Sequence, residues 1–379
     1  MSEKKYWRTL SELEKDPEFE EFLRREFVDV DYDKPGSTNR RRFMQLMGAS
    51  FALAGASGCR WEKENVLPYT RRPEGLEPGA VKHFATVMDV AGAAIPVKVA
   101  SFDNRPYKIE PNPSHPFSKG GTDAYAQASI LTMFDPDRSQ KVFNKDTAAD
   151  DRKSFDEGVK SLSKSMMASQ GKGVRFLSGA TSSPTVAALR DELLAKMPQA
   201  KWVEYESLSR DNERKGSELA FGQRVKTHYH LDKAEVIVSL GGDLFGDHPA
   251  KLKHARDWAD GRQPEEGKMN RLYVVEPRYT TTGAAADHRL PLRAEQILPF
   301  ALALESALKG KPDSKGFLGE EKVQKMLKAI ADDLKHHKGH AVVATGHQTD
   351  PAVHAVVHRI NRALSNAGKT VTYTKDGAP

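Results

Sequence analysis

Gly241-Gly242-Asp243 follows the apolar run Val236–Leu240, and Glu276 closes a second run, Leu272–Val275. A glycine turn at the carboxyl end of a strand lets backbone amides approach a pyrophosphate. An acid at the end of the next strand can accept from a ribose hydroxyl. Together the four residues could hold a nucleotide. The full G-x-G-x-x-G spacing is absent, however, and the same residues suit a tight turn and a capping acid.

The thirteen histidines invite a metal reading. His228 and His230 are two apart, and His354 and His358 fall four apart on one face of a predicted helix. Zinc takes three or four ligands, and neither pair has an obvious third. His115 and His288 read as structural, and His340 and His347 carry no readable role. Asp247-His248 and Asp287-His288 are adjacent pairs, but neighbours on a strand point to opposite faces. Ser178-Gly179 and Ser182-Ser183 lack the G-x-S-x-G context. The sequence therefore predicts no catalytic residues and no metal site.

These residues need a frame. Strand-like runs at Val174–Leu177, Trp202–Tyr205, Val236–Leu240, Leu272–Val275, Ala341–Ala344 and Thr370–Tyr373 alternate with helical stretches. The helices are expected near Thr185–Lys196, Ser209–Phe221, Pro249–Asp260, Glu295–Leu308, Lys322–His336 and Pro351–Ala367. Such alternation predicts an α/β fold with a doubly wound parallel sheet over 151–379. Thr370–Tyr373 reads as an internal strand, so the domain is expected to continue past residue 379. Before it, 81–150 reads as a small β-containing unit. Ile95, Val97 and Val99 alternate, Asp103-Asn104 turns, and Tyr107 and Ile109 return. A helix is expected at Ala124–Met133. Residues 60–80 are rich in Pro, Gly and charge and read as a connector.

Residues 1–59 read as an address. Arg40, Arg41 and Phe43 precede a short, weakly apolar run rich in Ala, Gly and Ser. Paired arginines with low hydrophobicity indicate a Tat signal, and the run is too short to span a bilayer. Cys59 after Ala56-Ser57-Gly58 suits acylation, which predicts a lipid anchor on the periplasmic side of the bacterial inner membrane. Leu10, Leu13, Phe19, Phe22 and Leu23 have helical spacing that an export chaperone could read.

Lys5-Tyr6-Trp7-Arg8-Thr9-Leu10, Pro17-Glu18-Phe19 and the delayed arginine pair resemble the extended Tat region of molybdopterin oxidoreductase-like proteins. The nearest likeness is the large iron–sulfur subunit of alternative complex III, a bacterial quinol:cytochrome c oxidoreductase. Asn104–Pro116, Phe134–Arg138, Val274–Arg278 and Ala286–Arg293 extend the likeness through the body. It implies a molybdopterin-oxidoreductase fold in a membrane-bound electron-transfer complex of respiration or photosynthesis. Implied partners are an integral quinol-binding subunit, c-type haem subunits and the Tat translocase. Cofactor-bearing relatives place a cluster cysteine, followed by a basic residue and Gly, in the stretch where this chain has Gly121-Thr122-Asp123-Ala124-Tyr125-Ala126. That departure implies a scaffold with neither molybdopterin nor cluster, and iron–sulfur clusters on a C-terminal part beyond this sequence. A genuine molybdopterin enzyme and an exported non-redox binding lipoprotein are the alternatives.

Composition agrees. The chain has 379 residues, 58 Lys+Arg against 52 Asp+Glu, 38% hydrophobic residues and one cysteine. That fits a globular protein with a sizeable core. One thiol cannot ligate an iron–sulfur cluster, and there is no Cys-x-x-Cys-His for haem attachment. No basic stripe interleaved with aromatics marks a nucleic-acid partner.

Overall fold

A computed structural model describes residues 79–376, apart from 91, 103, 140, 145, 146, 150 and 151, and scattered earlier positions. The chain divides into two units, Met1–Gly75 and Leu76–Pro379, and every element below belongs to the second. Arg40, Arg41, Phe43 and Cys59 lie outside the described residues.

Three antiparallel strands come first: β1 (Val81–Val90), β2 (Ala93–Phe102) and β3 (Arg105–Pro111). The expected hairpin is the β2–β3 pair, and β1 joins it across a two-residue turn in which Gly92 takes φ 75°. Such a turn favours glycine at positive φ. Helix α1 (Ala124–Ala128) and a 3-10 turn (Ser129–Met133) follow. Ile95, Val97, Ile109 and Ala126 form a small core there.

Next come a short ribbon of β4 (Val142–Asn144) and β5 (Thr147–Ala149), then α2 (Arg152–Ala168). Strand β6 (Arg175–Ser178), helix α3 (Pro184–Lys196) and β7 (Lys201–Glu204) make one βαβ element whose strands pair in parallel. Ser183 caps α3 through the Val186 amide, with Pro184 in its first turn.

The remainder is α4 (Asp211–Phe221), β8 (Val225–Tyr229), β9 (Val236–Leu240) and α5 (Lys251–Asp260). After them come the two-residue strands β10 (Arg262–Gln263) and β11 (Lys268–Met269), then β12 (Arg271–Glu276), α6 (Thr281–Ala284) and β13 (His288–Pro291). Helices α7 (Ile297–Leu308) and α8 (Glu321–His336) lead to β14 (Ala341–Thr345), α9 (Pro351–Ala363) and β15 (Val371–Lys375). The parallel sheet has four strands in the order β13-β12-β9-β14. Strand β9 is buried at every position, as a strand covered on both faces must be. Val236, Val238 and Leu240 point into one core with Phe300, Leu304, Leu327, Leu334 and Ile360 of α7, α8 and α9. Ile237 points the other way, with Leu272, Val274 and Val342, toward Tyr229, Leu244 and Val371. Each fully buried Leu, Ile or Phe contributes about 1.5–3 kcal/mol of burial.

Two expectations are corrected. The internal parallel strand expected at Thr370–Tyr373 forms as Val371–Lys375 and pairs antiparallel with Val225–Tyr229. That ribbon covers one face of the sheet, because Tyr229, Val371 and Tyr373 supply its apolar side. The runs at Val174 and Trp202 form a separate two-stranded sheet and do not join the four-stranded one. Local pattern gave their type, but partner choice depends on distant contacts.

Candidate functional site

The chain leaves β9 for β12 and β13 on one side and then crosses to β14 on the other. That reversal opens a crevice at the carboxyl ends of β9 and β14, where open α/β sheets take ligands. Gly241-Gly242 leaves β9 there, and Gly346-His347 leaves β14. The two turns touch. A Cβ on Gly242 would lie 2.8 Å from the Gly346 nitrogen, and one on Gly346 would collide with the Gly241 carbonyl oxygen. The Gly241 amide already donates to the Val275 carbonyl at 2.7 Å. The Ser239 hydroxyl donates to the Gly242 carbonyl at 2.7 Å, and that of Thr345 to the Leu240 carbonyl at 2.7 Å. These glycines serve the contact between the turns.

Asp243 Oδ1 accepts from the Thr282 amide (3.0 Å), the Thr282 hydroxyl (2.7 Å) and the Gly246 amide (3.1 Å). Glu276 is fully buried and accepts from Arg289 Nε at 2.6 Å and the Thr280 hydroxyl at 2.6 Å. A side chain on Gly283 would strike its carboxylate. Thr280–Thr282 thus link the two acids, which brace the first turn of α6 from two strands.

In front of the turns lies a cleft of about 590 Å³. Five carboxylates line it, Asp123, Glu204, Glu206, Asp211 and Asp247, against three permanent cations, Arg210, Arg214 and Lys251. Asp123 caps α1 through the Ala126 amide at 2.8 Å and pairs with Lys251 at 2.8 Å. Burial pushes its carboxyl up, but Lys251 and the amide outweigh that and hold it below its usual range. This is the stretch where cofactor-bearing relatives were expected to carry a cysteine. Just before it, Lys119 and Lys253 clamp the buried Asp257 and join the loop after β3 to α5.

His347 is more than nine-tenths buried, and its Nε2 has no hydrogen-bond partner. Its Nδ1 lies 3.8 Å from Asp247 Oδ2. Burial lowers the His347 pKa, and Asp247 opposes the shift. Burial raises the Asp247 carboxyl, Asp243 adds to that, and His347 and Arg278 oppose it. His248 is driven well below its ordinary value by burial, and its ring packs on His254 with centroids 4.4 Å apart. Burial also takes His254 down to about 4. A neutral imidazole beside a carboxyl of raised pKa can pass a proton. Among the described residues no three metal-binding side chains cluster.

The other singled-out residues have structural partners. His228 and His230 bond the cross-strand hydroxyls of Thr374 and Thr372 at 2.8 Å each. His354 contacts the Thr349 hydroxyl at 3.1 Å, and His358 meets Tyr373 and Phe221. Asp287 takes Arg262 through both oxygens (2.7 and 2.9 Å) and the Leu272 amide, and His288 stacks on Tyr273. His115 Nδ1 accepts from the Phe117 amide at 3.2 Å. Sequence reading missed the Asp247–His347 pair, because one hundred residues separate its members and no motif marks it.

No family model matches the chain. It is 22% identical over 278 residues to the menaquinone reductase molybdopterin-binding-like subunit of Nitratidesulfovibrio vulgaris. The match covers 71% of this chain, which spans 40% of that relative's length. Acetylene hydratase from Pelobacter acetylenicus superposes with a TM-score of 0.49 at 14% identity, over 73% of this chain and 42% of that one. The sequence likeness is thus to a molybdopterin-binding-like subunit of a quinone reductase, and neither comparison singles out alternative complex III.

Proposed function

We propose that this chain is a cofactor-free, molybdopterin-oxidoreductase-like scaffold within a subunit of a membrane-bound quinol-oxidising complex, with alternative complex III as the finer assignment. Its redox partners are an integral quinol-binding subunit and c-type haem subunits. The iron–sulfur clusters belong to a further part of the same protein. The carrying observation is how the residues at the crevice are already engaged. A pterin dinucleotide brings a doubly charged pyrophosphate and needs free amides and cations. Here the two turns close on each other, the Gly241 amide is already used, and carboxylates outnumber cations. Asp243 and Glu276 are committed to α6. These residues do not fit the group. Export by the Tat route and acylation of Cys59 complete the reading and place the scaffold on the periplasmic face.

The native complex, purified in mild detergent, should carry haem subunits and less than about one-tenth of a molybdenum per chain by elemental analysis, with iron–sulfur signals from elsewhere in the protein. Molybdenum at about one per chain would move the assignment to a genuine molybdopterin enzyme. Purification alone, without haem partners, would favour the exported binding lipoprotein. Replacing Arg40 and Arg41 with Lys should hold precursor in the cytoplasm, and Cys59→Ala should abolish lipid labelling without blocking export.

A further inference from the structure

Parallel strands occur in sheets covered on both faces, yet among the described residues β6 and β7 pair only with each other. Phe176 and Trp202 stack on one face of the pair, with ring centroids 5.3 Å apart. On the other face Leu177 and Val203 stand opposite each other, 75% and 48% exposed. Two residues earlier on that face, Arg175 stands opposite Lys201, and both are exposed. Like charges directly opposite on a sheet repel. Helix α2, just before β6, buries none of its residues, although Phe155, Val159 and Leu162 recur at helical spacing. Among the described residues no strand pairs with the outer edges of β6 and β7, and another strand can satisfy such edges.

We propose that this face docks a partner polypeptide that adds a strand to the β6–β7 pair, lays apolar side chains on Leu177 and Val203, and sets a carboxylate across Arg175 and Lys201. The open edge asks for a regular row of alternating backbone donors and acceptors, which another strand supplies and lipid does not. The paired cations ask for an acid, whereas a second copy docked face to face would bring the same two cations. The inference is independent of the redox reading, because the surface needs a cover whichever complex the chain serves.

The test places the photo-cross-linking residue benzoylphenylalanine at Leu177 of the full chain in its native host. The control position is Lys328, on the exposed side of α8. Illumination should give an adduct from position 177 and none from 328. Mass spectrometry should find the attached peptide to be an apolar run flanked by Asp or Glu. Arg175→Glu combined with Lys201→Glu should cut the yield about tenfold by placing like charge against the partner, while Arg175→Lys should not. These side chains are exposed, so circular dichroism should be unchanged throughout. The proposal is overturned by no adduct, by adducts to lipid or to a second copy, by a peptide without carboxylates, or by a yield indifferent to charge reversal.

Discussion

Residues 225–376 and 152–208 are built from the same grammar of parallel strands and connecting helices, but they differ in what they leave outside. Among the described residues the first stretch exposes three large apolar side chains, Met269, Tyr279 and Leu302. The second, about a third as long, exposes ten, and the hydrophobic side chains it buries are those of Met197 and Ala200. The difference lies in cover. Strand β9 has helices α7 to α9 over one face and the β8–β15 ribbon over the other, while β6 and β7 keep one face open. Regular secondary structure can therefore form in a region whose apolar surface remains to be covered.

The largest effect that could break this contrast is acid. His254 and His358 are buried in the closed domain and titrate at about 4, against roughly 6.5 when unfolded. A base with a depressed folded pKa gives stability that is complete above the unfolded value and is lost as pH falls from about 6.5 toward 4. Each should cost on the order of 3 kcal/mol by pH 4. Residues 152–208 contain no histidine and should show no such loss. Urea unfolding of the domain at pH 7.5, 5.5 and 4.5 measures it, and a flat profile would mean that the closed core admits solvent.

Next comes cavity creation. Phe300→Ala, in the closed core, should destabilise by about 3–5 kcal/mol, whereas Leu177→Ala should stay within about 0.5 kcal/mol in the chain alone. Denaturant midpoints compare the two, and equal losses would erase the distinction between the regions. Glu276→Gln should cost about 2–3 kcal/mol, because it weakens a buried charged hydrogen bond to Arg289. If Glu276 instead held a nucleotide, the change would spare stability and weaken binding. The smallest effect sharpens the comparison inside the open region. Ser183→Ala removes the α3 cap and should cost about 1 kcal/mol, read as faster amide exchange over residues 186–190.

The parts of the fold carried by local pattern were legible in the sequence. Between residues 152 and 376 each expected strand and helix exists with ends shifted by a few residues, since runs such as Val236–Leu240 and caps such as Ser183-Pro184 act locally. The helix expected at Ala124–Met133 is α-helical only to Ala128 and continues as a 3-10 turn. Other elements went unread, the short β4, β5, β10, β11 and α6 among them. Helix α2 is broken up by Ser, Lys and Gly, β1 repeats its apolar residues at intervals of three, and β13 is only four residues long. Strand β8 carries His228, with His230 just past its end, and the two drew attention as a metal pair when they are partners of threonines on β15. The site was legible in position only. The glycine turn does sit at the switch of the sheet, but its amide and the two acids take partners 34, 39 and 13 residues along the chain. Side-chain spacing carries no record of such pairings.

The contact between Gly242 and Gly346 has a genetic consequence. Most steric lesions in a core can be rescued by a second mutation that shrinks the neighbour. Here both neighbours are already the smallest residue, so a substitution at either leaves no partner to trim. A selection for suppressors of Gly346→Ala should return true revertants, or insertions and deletions that reroute one of the two turns, and few single replacements elsewhere. The pair would then be inherited as one indivisible unit across a gap of more than a hundred residues.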